Sequence, residues 1–426
     1  MDPTQELGRD DLERLQLEKL REVLEPVLET NAFYREKLNE AGVSEAGDLQ
    51  IMDDYRALPF TTKDELSLDQ SVCPPYGSNL TFPLDRYQRI HQTSGTTGDP
   101  LRWLDTGESW QWMGRCWEAV YEAAGVEVTD RVYFAFSFGL FIGFWSAVEG
   151  AGRIGSMVIP GGGAGSEQRI KAMLSHEATV LVCTPTYALH LAEVAAAEGL
   201  DIRTSSVRIT IHAGEPGASL PGTRARIEEA WGATCFDHAG ATEVGAWGFE
   251  CQAHSGMHLN EAEYIAEVLD PETGQPAEDG ELVISNLGRV GMPVVRYRTG
   301  DLVKLDPTEC ECGRTFVRLD GGVKGRMDDV LIIRGVNVYP SVIENAVRNI
   351  PEIGEFAVDV WPRGELDDLE VRIEVNAPDV NASVDRVSAE LRHALGIRVG
   401  VRAVPENALP RFELKARRVT DHRKQS

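Results

Sequence analysis

A layered α/β architecture, followed by a small β region and a compact C-terminal α+β domain, is the fold class this sequence predicts. Three observations lead to it. Between about residues 130 and 235, short apolar runs of strand length alternate with helical stretches. From 256 to 305 the runs come closer together, and after "GRMDD" at 325–329 a fresh β-α-β-β-α pattern begins. Strands separated by helices argue for a largely parallel sheet, because a parallel pair needs a long crossover. At 426 residues the chain also exceeds the length at which one core keeps growing.

Each element can be justified in turn. Residues 10–43 read as helix, with Leu12, Leu15, Leu17, Leu20 and Leu24 near helical spacing. The strand-like runs are 131–141, 156–160, 178–185 and 206–216, with glycine or proline at or near their ends. Between them "SEQRIKAMLSHE" and "TYALHLAEVAAAEG" read as helices. "MHLNEAEYIAEVLD", "GELVISNL" and "MPVVRYRTGDLVKL" suit a small antiparallel region. The last hundred residues give "VLIIRG", a helix from Ser341, the strands "EFAVDVWP" and "LEVRIEV", and a helix near 383–395.

Composition excludes several classes. With 42 Lys and Arg against 68 Asp and Glu, the net charge of −26 argues against a general nucleic-acid surface and leaves room for a local phosphate site. No stretch reaches the roughly 20 apolar residues that span a bilayer. The first thirty residues read as a charged amphipathic helix, not a signal peptide, so a cytoplasmic enzyme without a membrane partner is expected. Seven cysteines in such a chain do not suggest a disulfide scaffold, and Cys73, Cys116, Cys183 and Cys235 read as small core residues.

Chemistry enters with "TSGTTGDP" at 93–100. Its glycines let backbone N–H groups approach a phosphate, and Thr93, Ser94, Thr96 and Thr97 add hydroxyl donors beside Gly95 and Gly98. It matches neither a Walker A loop nor a dinucleotide fingerprint, and alone it would also suit a surface turn. "FDHAGATEVG" at 236–245 ends an apolar strand in small residues and Thr242-Glu243. "RYRTGDLVKL" puts Asp301 after Thr-Gly, where a carboxylate could take two sugar hydroxyls; "GRMDDVLIIRGVNVYPSVIE" and "ELKARRV" at 413–419 complete the series. Taken singly, Glu243 suits a helix N-terminus, Lys415 an exposed lysine, and Asp328-Asp329 a turn.

The ordered series, with "CTPTYALHLAE", "GEP", "GMHLNE" and "GMPVVRYRTGDL", resembles the adenylate-forming superfamily and, within it, the phenylacetate–CoA ligase family, from about residue 55 onward. The resemblance implies a large N-terminal adenylation domain (1–325), a hinge (326–330) and a small mobile C-terminal domain (331–426). It implies ATP, Mg²⁺ and CoA as ligands of an AMP-forming ligase acting on an aromatic carboxylic acid. Thr93 to Gly98 would lie over the ATP β- and γ-phosphates. Gly214, Glu215 and Pro216, with Asp237, His238 and Ala239, would line the adenine pocket. Thr242 would contact the α-phosphate and Glu243 hold Mg²⁺; Asp301 would take the ribose hydroxyls, with Arg326 nearby. Asp328 matches the swivel residue, Lys415 the lysine that bridges carboxylate and α-phosphate, and Arg334 with Gly335 the approach to the thiol channel. Phe136, Phe141, Trp145, His212 and Gly240 would form much of the acyl pocket, although each aromatic suits a core as well. A homodimer is common among similar enzymes.

Two residues depart from the family pattern: Asp99 replaces the usual lysine of the loop, and Ala239 a usual tyrosine against adenine. Both bear on ATP affinity. Outside the ligand motifs, Cys251 and the pair Cys310 and Cys312 flank the small β region. With His258, or else His254, they make a tetrahedral set that suits structural zinc; free buried cysteines are the alternative. Two other functions stay open: the same adenylation with a carrier-protein thiol, an amine or another small nucleophile as acceptor, and a non-catalytic nucleotide-binding protein.

Overall fold

The computed structural model describes residues 2–93, 100–363, 366–412 and 415–425. They form two compact units, Met1–Gly163 with His238–Gly322, and Ala164–Asp237 with Val323–Ser426. No helix among the described residues is long and apolar enough to cross a membrane.

In the first unit, the long helix Arg9–Thr30 buries Leu12, Leu17, Leu20 and Leu24, with Asp10 and Asp11 in the first turn where the helix dipole favours acids. The single helix expected over 10–43 is broken at Asn31. That residue is extended (φ −79°, ψ 104°), and its side chain accepts from the Tyr34 N–H at 3.1 Å, capping a second helix, Ala32–Glu40. The strand Tyr87–Gln92 pairs antiparallel with Arg102–Thr106, and Thr106 caps the helix Gly107–Ala124. The run expected as a strand over 131–141 is strand only at Arg131–Phe134, parallel to Met157–Pro160. Beyond it, the Phe136 N–H turns back to the Phe134 carbonyl at 2.9 Å and ends the strand. The expected small β region is antiparallel. Its strands run, side by side, Tyr264–Leu269, Asp279–Asn286, Tyr297–Asp306, Arg318–Leu319, Met257–Leu259 and Gly245–Glu250, then the C-terminal half of Thr234–Ala241.

In the second unit, Val180–Cys183, Ile209–His212 and the first half of Thr234–Ala241 run parallel, with His212 opposite Asp237. Every residue of the first two strands is buried, as expected for a parallel sheet covered on both faces. The C-terminal part opens on the hairpin Leu331–Ile333 and Val336–Val338, turned through Arg334 (φ +52°) and Gly335 (φ +78°). Two successive positive φ angles are what a two-residue primed turn requires. A four-stranded sheet follows, in the order Gly400–Val404, Leu366–Val375, Ile353–Arg363, Val419–Asp421. Ile343 and Val347 of the helix Pro340–Arg348 and Val387 and Leu391 of the helix Val380–Leu395 share its core. Residues 164–237 pack on this part closely: a Cβ at Gly222 would lie 2.8 Å from the Arg348 carbonyl carbon. Arg226 donates to the carbonyls of Arg348, Ile350 and Ile353. Grouping by contact therefore differs from division in chain order.

Of the cysteines expected in the core, Cys116, Cys183 and Cys235 are buried. Cys73 is exposed, because it lies just past the short helix Lys63–Val72, whose last residue is itself exposed.

Candidate active site and metal centre

The Thr242-Glu243 turn closes the hairpin between Thr234–Ala241 and Gly245–Glu250, with the Val244 N–H donating to Ala241. Gly245 is needed there: its φ is +108°, and a Cβ would lie 2.5 Å from the Tyr264 hydroxyl. Thr242 and Glu243 are both buried. Their carbonyls accept from Nη1 of Arg289, at 2.5 and 3.2 Å. The other edge of that guanidinium meets Asp105 through two bonds of 2.8 Å, and both side chains are fully buried. Burial pushes the Asp105 carboxyl up, but the Arg289 charge and His91 pull it further the other way, below its ordinary value. Sequence reasoning missed both residues. Neither belongs to a motif, and 184 positions separate them.

The first unit also holds several other expected residues. Thr93 is buried and clasps Leu101, its N–H donating to the Leu101 carbonyl and its hydroxyl accepting the Leu101 N–H. Ser94, Gly95, Thr96, Thr97, Gly98 and Asp99 lie outside the described residues. His238 is buried, its Nδ1 2.7 Å from the Gly248 carbonyl and its ring 4.3 Å from that of Trp117. Burial holds its pKa down at about 4, so the imidazole is neutral near pH 7. Ala239 lies opposite Gly248, and Gly240 is exposed. Asp301 sits in Tyr297–Asp306, its N–H held by the Thr299 hydroxyl at 3.0 Å.

Phe136 is buried at the centre of an aromatic cluster, edge-on to Phe138 and Phe144 at 5.4 and 5.2 Å and 6.3 Å from Phe141. Phe138 and Phe144 were not singled out from sequence. Phe141 and Trp145, expected as walls, are 44% and 37% exposed. Trp145 stacks edge-on to Phe138 at 4.6 Å and donates to the Gly139 carbonyl.

The second unit holds the rest. His212 is fully buried beside the Cys183 carbonyl, 3.1 Å from Nδ1, and burial lowers its pKa to about 4. Gly214 turns the chain with φ +94°. The Glu215 carboxylate accepts from the Thr186 N–H at 3.0 Å and the Ala416 N–H at 2.7 Å, next to the exposed Lys415. Pro216 is half-buried and Asp237 buried. Arg326 pairs with Asp328 at 2.8 Å, and Arg334 with Asp368 at 2.6 Å. Gly335 has open space where a Cβ would stand.

The cysteine set assembles within the first unit. One ligand atom each from Cys251, His258, Cys310 and Cys312 lies within 4.8 Å of all the others. Cys251 and Cys310 sulfurs are 3.6 Å apart, and His258 Nε2 is 3.5 Å from the Cys312 sulfur. His254 is outside this set. The His258 Nδ1 faces the Phe316 carbonyl at 3.3 Å, and Ser255, held by Arg318, reaches Cys310. Burial keeps His258 neutral, with a pKa of about 4.

Comparison with known proteins gives the family. The chain is 32% identical to the phenylacetate–coenzyme A ligase of Thermus thermophilus, over 98% of both chains. It is 33% identical to that of Escherichia coli, over 99% of this chain and 98% of the other. The chain belongs to the phenylacetate–CoA ligase family. Residues 335–423 match the family model for the AMP-binding enzyme C-terminal domain. The fold matches 2-hydroxyisobutyryl-CoA ligase, 30% identical, solved in the postadenylation state with 2-HIB-AMP (TM-score 0.93, 99% of this chain and 92% of that one). The same enzyme with 2-HIB-AMP and CoA in the thioesterification state matches at 0.74, over 98% and 91%. Phenylacetate–CoA ligase family membership thus makes this chain an AMP-forming CoA ligase.

Proposed function

We propose that the enzyme activates an aromatic carboxylic acid with ATP to an acyl-adenylate and pyrophosphate, then transfers the acyl group to the CoA thiol. The observation that carries this reading is full-length identity of 32–33% to phenylacetate–CoA ligases, with Phe136, Phe138 and Phe144 forming an edge-on aromatic cluster. Each aromatic here suits flat carbon, whereas a small aliphatic acid would leave such walls poorly filled.

Attack of a weak carboxylate on the α-phosphorus depends on positioning and charge neutralisation. In this reading Thr93 to Gly98 cradle the outer phosphates, Thr242 takes the α-phosphate, and Lys415 neutralises charge between the reacting groups. A buried carboxylate on a rigid turn suits Mg²⁺, which Glu243 would hold; the metal supplies neutralisation of the leaving pyrophosphate. Gly214, Glu215, Pro216, Asp237, His238 and Ala239 serve adenine, and Asp301 with Arg326 the ribose. His212 and Gly240 border the acyl group, with Phe141 and Trp145 at its more exposed edge. The domain boundary falls at 326–330, with Asp328 as swivel, and Arg334 and Gly335 on the face that admits CoA.

Structural zinc fits the four-residue cluster. Tetrahedral zinc with bonds of about 2.3 Å to sulfur spaces its ligands about 3.8 Å apart, and the separations of 3.6 and 3.5 Å here lie close to that. The Phe316 carbonyl at Nδ1 selects the tautomer that leaves Nε2 to bind metal.

The deciding experiment measures pyrophosphate release with benzoic acids, arylacetic acids and short hydroxy acids, each with and without CoA. One aryl acid whose turnover rises sharply with CoA is expected. Release indifferent to CoA would shift the acceptor to another nucleophile, and turnover confined to hydroxy acids would overturn the aromatic substrate.

A further inference from the structure

We infer that the buried Arg289–Asp105 pair is a positioning device that fixes the Thr242-Glu243 turn to the strand Arg102–Thr106, and so sets the metal-binding geometry of adenylation. The inference rests on the roles proposed above for Thr242 and Glu243.

The geometry is that of a clamp. Asp105 lies in the strand that Leu101 joins to Thr93, opposite Arg89 in the hairpin. Arg289 lies in the loop after Asp279–Asn286. Its Nε and Nη2 meet the two carboxylate oxygens of Asp105, while Nη1 reaches both carbonyls of the turn. The Trp103 ring covers the guanidinium at 5.1 Å. Four bonds leave little freedom to tilt the turn against the hairpin.

Packing alone does not require this arrangement. A buried ion pair is desolvated at a cost, and apolar side chains of similar volume often stabilise a core as well or better. Apolar side chains cannot, however, pair two turn carbonyls that have no ladder partner. Lysine cannot do so either while also holding a carboxylate edge-on, because it lacks the planar fork. The pair therefore supplies direction: it aims the backbone from which the Thr242 hydroxyl and Glu243 carboxylate project. Arg289 touches no reacting atom, so it is a positioning residue.

The test titrates Mg²⁺ in pyrophosphate release for the wild type, Arg289→Lys and Asp105→Asn, and measures thioester formation from supplied acyl-adenylate in parallel. Both variants keep the site's volume, and thermal melts report whether each folds. The expected result is a rise of about tenfold or more in the Mg²⁺ concentration giving half-maximal release, the scale seen when partners behind metal ligands are lost. The maximal adenylation rate falls, the KM for the acid holds, and thioester formation from supplied acyl-adenylate is the less affected step. Variants that lose both steps together, with the Mg²⁺ midpoint unmoved, would make the pair a fold support only and overturn the inference. If wild-type release itself ignores Mg²⁺, the role of Glu243 falls first and the inference with it.

Discussion

Two buried histidines give the protein a pH signature. His212 and His238 both titrate near 4, because burial opposes the imidazolium, against about 6.5 in an unfolded chain. Between those values the unfolded state binds protons that the native state refuses. Stability is therefore complete above about pH 6.5 and falls as pH drops toward 4, each imidazole contributing a slope of up to about 1.4 kcal/mol per pH unit. Urea midpoints measured from pH 7 to 4.5 should fall, and His238→Asn should flatten that fall; an equal slope in the variant would mean that His238 protonates freely when folded. His238 and Glu243 could be singled out as candidates from sequence because one motif, "FDHAGATEVG", holds both. Arg289 was not legible, since a single arginine in "NLGRVG" has no period or motif and gains meaning only from Asp105 across the fold.

At the level of elements, the cysteine cluster makes the clearest claim. Three short segments meet there: the end of Gly245–Glu250, the strand Met257–Leu259, and the turn before Arg318–Leu319. Two-residue and three-residue strands carry few ladder bonds, so a metal would hold what the backbone holds weakly. The first residues add to this corner: Gln5 accepts from Arg314 at 2.6 Å, and Arg9 forms a bidentate pair with Glu261. Purified enzyme should contain one zinc per chain, and Cys251→Ser should lose it. A site a thousandfold saturated contributes about 4 kcal/mol, so the melting temperature should drop on chelation and recover with Zn²⁺. Metal-free protein with an unchanged melt would leave four packed side chains and no metal. Spacing in the sequence suggested this set, with His258 preferred and His254 as the alternative, but gave no geometric reason for the preference. The fold decides it: His258 points inward from a strand, while His254 sits in an exposed turn at φ +49°.

Over the whole molecule, chain order and packing tell different stories, and function draws on both. The α/β pattern, the small antiparallel region and the C-terminal domain were readable because each rests on local periodicity. Residues 164–237 nevertheless pack with 323–426, through contacts such as Arg226 to the Arg348 carbonyl that no local pattern announces. Glu215 belongs to the same set. It accepts the Ala416 N–H, while Arg418, two residues on, reaches the Thr186 hydroxyl and a buried pair with Glu355. These bonds steady the backbone that follows Lys415 in the arrangement described. In the proposed mechanism the lysine serves adenylation, and the second step needs its domain to swing about Asp328, which breaks such bonds and takes Lys415 away. Lys415→Ala should then abolish pyrophosphate release, a loss on the order of a hundredfold or more for removal of one charge-stabilising donor. Thioester formation from supplied acyl-adenylate and CoA should persist, because that step no longer uses the side chain. Single-turnover assays of each half-reaction separate the outcomes: equal loss of both would show that Lys415 serves the two steps alike, and the alternation would have to rest on another residue.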